Sequence, residues 1–275
     1  MSGAYFPFLA WNPVSVTIGA NVRDARTYRQ VELDWTPGLI RNCSFARVSG
    51  WIGVTGEDRT HGGQALTIFD LRRRKTTFRF PFETVLNHAL DVSGVSAAIV
   101  LPSENRQIAD LILLHTKSGD MERIVTGRLH HRSTLSWFPD QERIAYECAD
   151  DEIEVVHRST RVIDTIGRGH APAVASDGSL IVAERDRRLV LFDVDAHGET
   201  EIDTGRVTPT LGVSWAPGSP RPMLSIGGTR GRTGKETRFS LLDIDHQHVE
   251  ELPLEYQTGL SLISADSNLF EETDR

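Results

Sequence analysis

Only two cysteines, Cys43 and Cys148, occur in the 275 residues. Neither belongs to a Cys-x-x-Cys pair, and each sits in a strand-like run. That excludes a disulfide framework and a zinc knuckle, and it predicts two reduced, buried thiols. Long apolar runs are missing too. The N-terminal stretch MSGAYFPFLAWNPVSVTIGA is apolar, but no early Lys or Arg precedes it, and Pro7, Asn12 and Pro13 interrupt it. It fails as a signal peptide and as a membrane span. The expected compartment is the cytoplasm, with no membrane partner. No stretch keeps a 3.6-residue apolar period, so helices should be rare. Catalytic signatures are also lacking: there is no Gly-x-Ser-x-Gly elbow, no His-Glu-x-x-His and no phosphate loop. Basic charge is in deficit, with 30 Lys and Arg against 38 Asp and Glu, for a net charge of -8. Such a chain repels phosphate backbones at long range, so nucleic acid is not an expected partner.

What the chain does hold is enough apolar material for a sizeable core, at 39% hydrophobic residues. It also holds a repeat. Turns recur after runs of one type: VSG at Ser49, LDVSG at Ser93, LSWFPD at Pro139, AVASDG at Ser176, VSWAPG at Pro217 and LISAD at Ala265. Successive anchors stand about 37 to 48 residues apart, the spacing of propeller blades. After each anchor comes an apolar run (SAAIVL, RIAYEC, SLIVAE, PMLSIG), then a polar loop. A third strand follows (LTIFDL, LILLHT, IEVVHR, LVLFDVD, FSLLDID), then a tight turn and a fourth (TTFRF, ERIVTG, RVIDTIG, ETEIDTG, VEELPL). Each unit is thus four short strands with β-branched and aromatic enrichment.

One such unit cannot bury both faces alone, whereas radial packing of several buries them all. The last unit has one clear strand, GLSLISAD, and the first segment has three: YFPFLAW, VSVTIGA and RQVELDW. Pairing the one with the three closes a ring and removes an exposed edge. The predicted fold is all-β: a single six-bladed β-propeller of four-stranded antiparallel blades over residues 1–275, closed by its terminal strands.

LSWFPDQERIAY and VSWAPGSPRPMLSI resemble the repeat of TolB-like propellers. Gly169-His170, followed by Phe192-Asp193, resembles the Gly-His to Trp-Asp frame of a WD40 blade, with Phe for Trp. The resemblance is to the repeat pattern of the TolB-like and WD40-like superfamily. It implies architecture and guides activity poorly. It implies that His170 bonds an acid in a strand 2–3 turn, for which Asp186 is well placed. Some larger propellers of similar type are histidine-metal lyases acting on pectate-like substrates.

In a propeller, the loops from strand 4 to the next blade and from strand 2 to strand 3 gather at one end of the channel. The first set carries a recurring Gly-Arg step, at Arg128, Arg168 and Arg206, and histidines at His88, His130, His131 and His170. Converging guanidiniums bind carboxylate or phosphate, and converging imidazoles bind transition metals. Against these stand a framework role for His170, a solvated loop for His130 and His131, and blade-edge salt bridges for the arginines. The second set holds two long Gly-rich loops, Gly56–Gln64 with Glu57 and Asp58, and Gly227–Arg238 with Arg230 and Arg232. Recognition often sits on such loops. Gly227–Arg238 has the spacing of neither a phosphate loop nor a dinucleotide fingerprint, so no nucleotide site is read from it. The acid pairs Asp150-Asp151 and Glu271-Glu272 do not amount to a glycosidase pair, which needs a set separation across a sugar. Leu71–Phe78 is expected to be a solvated basic hairpin tip, and Asp245–His248 is a weak metal pattern.

The expected function is binding rather than catalysis, by a monomer without cofactors. An acidic propeller suits a basic protein partner that its field would steer. Neutralising a toxin, as an immunity protein does, is one version. The alternative is a metal-dependent lyase or hydrolase. It would act on an anionic, sugar-acid-like substrate at the channel mouth, with a metal held by His88, His130, His131 or His170.

Overall fold

The computed structural model describes the backbone of residues 8–12, 15–19, 28–32, 40–46, 48–58, 62–70, 73, 75–105, 107–203, 208–215, 223–230, 236–244, 248–251 and 261–262. Side chains are described over 42–46, 48–58, 62–70, 73, 75–105, 107–203, 215 and 242–244. Every regular element among them is a strand. In chain order, β1 (Phe8–Asn12), β2 (Ser15–Gly19) and β3 (Tyr28–Glu32) pair in sequence. β4 (Ile40–Ala46), β5 (Trp51–Glu57), β6 (Gln64–Asp70) and β7 (Lys75–Phe82) form the next sheet. β8 (Asn87–Leu90) to β11 (Met121–Leu129) follow, with β9 (Ser96–Pro102) and β10 (Ala109–His115) between them. Then come β12 (Leu135–Trp137), β13 (Arg143–Glu147), β14 (Glu152–His157) and β15 (Ile163–Arg168). A further sheet holds β16 (His170–Val174), β17 (Leu180–Arg185), β18 (Arg188–Asp193) and β19 (Glu199–Ile202). Another holds β20 (Thr208–Trp215), β21 (Met223–Arg230), β22 (Glu236–Asp243) and β23 (His248–Glu251). β24 (Ser261–Leu262) pairs with β1 through Phe8↔Leu262 and Leu9↔Ser261. All these pairings are antiparallel, between neighbours in sequence except at β24.

The apolar runs are continuous rather than alternating because the sheets are buried on both faces. Successive residues of a strand point to opposite faces. On β9, Ala97 and Ile99 pack with Leu66 and Ile68 of the preceding sheet, while Ala98 and Val100 pack with Ile144 and Tyr146 of the following one. On β10, Ile112 and Leu114 face back, and Leu111 and Leu113 face forward. The same layering continues with Ala145, Val155, Ile181 and Phe192, and then with Val182, Leu189, Trp215 and Leu242. The core is therefore a series of layers, each shared by two consecutive sheets.

The repeated Ser-Trp pair, in Leu135-Ser136-Trp137 and Val213-Ser214-Trp215, stitches these layers together. Trp137 Nε1 donates to the Ala89 carbonyl on the preceding sheet at 3.0 Å, and Trp215 Nε1 donates to the Ala173 carbonyl at 2.8 Å. The serine reaches the other way: the Val174 N–H donates to Ser136 Oγ at 3.0 Å. Ser44 does the same for the Leu90 N–H at 3.1 Å. Among the described residues, the anchor turns close through a left-handed residue. Gly94 (φ 75°), Gln141 (φ 61°) and Gly178 (φ 80°) occupy it in three successive sheets. At Gly94 a Cβ would also come within 2.7 Å of Trp51, so both conformation and space call for glycine.

Candidate functional site

The strand 2–3 and strand 4–1 connections lie at one end of the antiparallel sheets, and of the expected site residues Glu57, Asp58, Arg128, His130, His131, Arg168 and His170 belong to these connections or the strand ends beside them. His170 opens β16. Its Nδ1 stands 2.9 Å from Glu147 Oε1 at the end of β13, and 3.9 Å from Asp151 Oδ1 in the turn that follows. Glu147 is buried, and its Oε2 accepts the Ala171 N–H at 3.3 Å. The Glu147 carboxylate raises the pKa of His170 against the opposing pull of burial. Glu184 sits across the β16–β17 ladder from His170, and burial raises its carboxyl. His170 thus bonds an acid, but not the one that the resemblance implies. Asp186 occupies the exposed tip of its own blade's turn, while Glu147 and Asp151 come from the preceding sheet. Glu147, Asp151 and His170 place three ligand atoms within 4.8 Å of one another.

Arg128 does not face an open anion site. It forks onto Glu154 of β14, with Nε at 3.2 Å and Nη2 closer, and Tyr146 Oη donates to the same carboxylate. Glu154 is buried, so this is an internal ion pair between two sheets, and it raises the Arg128 pKa. Arg168 ends β15, exposed, opposite Glu152 in the ladder. His130 and His131 lie in the β11–β12 connection with ring centroids 6.4 Å apart. The His130 N–H donates to Ser133 Oγ at 2.8 Å, and the Arg132 N–H donates to His130 Nδ1 at 3.2 Å. His131 Nε2 approaches the Ile108 carbonyl at 3.3 Å. His88 is not at a mouth at all. It is buried on β8 against Gly53, where a Cβ would come 2.8 Å from Nε2. Neither of its ring nitrogens has a well-formed hydrogen bond, and burial drives its pKa down to about 4, with a minor opposing pull from the Gly53 backbone. Among the described residues, no group of three or more ligating side chains includes His88, His130 or His131.

In the Gly56–Gln64 connection, Glu57 is exposed, but Asp58 is buried and held by Arg79 Nη2 at 2.5 Å. Asp58 is thus an anchor of the fold rather than a free recognition group. Arg230 ends β21, paired in register with Glu236 of β22. The Arg230 side chain, Arg206, Arg232 and Glu271-Glu272 lie outside the described residues. So does His246, while the expected turn position of His248 is instead the start of β23. At the opposite end, Arg73 is an exposed hairpin-tip residue 3.6 Å from Asp70. Cys43 and Cys148 are both free thiols, Cys148 buried and Cys43 partly so.

Sequence reasoning passed over Glu147 and Glu154. Each is an acid inside an otherwise apolar strand run, and that was the available signal: a carboxylate there is buried and has to find a partner.

Among the described residues, no helix is long and apolar enough to cross a membrane. No protein-family model matches the chain, and no curated protein matches it in sequence. Solved structures do resemble it. One of them is "putative TolB from Agrobacterium tumefaciens", at 18% identity and a TM-score of 0.62, with 82% of this chain and 84% of that one covered. At that identity the likeness shows the fold alone: an all-β, propeller-like arrangement of four-stranded antiparallel sheets.

Proposed function

We propose that the chain is a single ring of six four-stranded blades, closed by β24 on β1–β3, and that it serves as a non-catalytic scaffold for a basic protein. Ring closure is supported by the register of β24 on β1 and by the layered core, in which each sheet buries the face of the next. The reading as a binding scaffold rests on the charge of the loop end. Glu57, Glu104, Asp150, Asp151 and Asp186 are exposed on the strand 2–3 connections of successive sheets. Several arginines nearby are already committed to acids of the fold: Arg128 to Glu154, Arg185 to Glu199 and Arg188 to Glu201. Arg132, Arg168 and Arg187 remain exposed and interleave with the acids. The rim is therefore acid-biased and chemically varied, which suits steering and register against a basic surface. Neutralising a basic toxin in the cytoplasm, one propeller to one toxin, is the specific form proposed. The histidine-metal enzyme has weaker support, because its four candidate histidines are dispersed among three separate environments. Affinity capture of the tagged, full-length protein from its native lysate tests the reading. A basic protein retained at low salt and released at high salt is expected. Recovery of small molecules or metals alone, with no protein, overturns it.

A further inference from the structure

We propose that Glu147, Asp151 and His170 bind one divalent transition-metal ion, read with Zn2+ as the probe. The inference goes beyond the scaffold reading and does not depend on it. The donors come from two sheets, Glu147 and Asp151 from β13 and the turn after it and His170 from the start of β16. Tetrahedral ligands about 2.1 Å from zinc stand roughly 3.4 Å from each other. His170 Nδ1 lies 2.9 Å from Glu147 Oε1 and 3.9 Å from Asp151 Oδ1, on either side of that spacing. Shifts of about half an ångström set each carboxylate at that spacing from the imidazole nitrogen, and all three donor atoms already lie within 4.8 Å of one another.

The donor set is one imidazole nitrogen and two carboxylate oxygens, which suits a first-row divalent ion better than calcium or magnesium. Three protein ligands leave one position open to water or to a partner's side chain. Glu147 is held in place by the Ala171 N–H, as a ligand supported from behind should be. Asp151 and His170 are exposed, so the ion has a path in.

The test is isothermal titration of the chelator-stripped, full-length protein with Zn2+ alone, alongside thermal melts. One Zn2+ per chain is expected, with a melting temperature about 5 °C higher at roughly a hundredfold excess over the dissociation constant. His170→Gln and, separately, Asp151→Asn should each weaken binding tenfold or more. The His130→Ala and His131→Ala pair should leave it unchanged. Circular dichroism without metal checks that each variant keeps its fold, and Asp151→Asn decides if His170→Gln does not. No binding by the wild type overturns the proposal. So does a folded Asp151→Asn or His170→Gln protein that binds as tightly as the wild type.

Discussion

A carboxylate inside a sheet core costs several kcal/mol unless something pairs with it. Glu154 is buried, and Arg128 and Tyr146 both serve it. Arg128→Ala should therefore destabilise by about 2 kcal/mol, less than for a fully buried pair because half of the Arg128 side chain is in water. Adding Glu154→Gln should recover part of the loss, and urea unfolding of the two variants measures it. His88 makes the opposite choice and stays neutral. Its folded pKa of about 4 lies below the ordinary 6.5. The unfolded chain thus binds more protons between these values, and stability is complete above about pH 6.5 and falls as pH drops toward 4. The component is worth about 3 kcal/mol at most, and His88→Leu should remove it from the pH profile of urea unfolding. Sequence spacing alone set His88 beside the other histidines. What it misses is that β8, the edge strand of its sheet, packs against β4, β5 and β12 of the flanking sheets, which is a packing fact.

At the scale of the element, the sequence was a good guide, for a physical reason. Four strands per unit, punctuated by Gly, Asp and Pro, leave few other ways to satisfy the backbone. The strand runs and the tight turns therefore lie where the pattern puts them, as at Gly94 and Gly178. The role of the repeated Ser-Trp pair was not legible, because it lies in contacts between units some forty residues apart, such as Trp137 to Ala89. Trp137→Phe keeps most of the ring volume and removes the indole donor, so it should cost about 1 to 2 kcal/mol in chemical denaturation. Ser136→Ala should cost about 1 kcal/mol, by losing the acceptor for the Val174 N–H. A null result for both would mean that the layers are held by apolar packing alone.

For the whole molecule, the described sheets give one face to the layer before and the other to the layer after, so the proposed ring would have to be tied where chain begins and chain ends. Deleting residues 259–275 removes β24 and leaves β1 paired with β2 alone. The proposed closure predicts a large loss of stability, or insolubility, and unchanged melting would contradict it. Architecture was legible because it repeats. The charged rim was legible only in part: Asp150 and Asp151 stood out as a loop pair, whereas Glu147 was hidden in a strand. The binding of a basic protein through that rim is the central claim, and charge reversal at its most exposed acids tests it most directly. Glu104→Lys with Asp150→Lys changes two solvated turn residues and should leave the fold intact. With the captured basic partner, the association rate at low salt should fall at least tenfold relative to the wild type, and the salt dependence should flatten. Unchanged association by a correctly folded variant would contradict the claim.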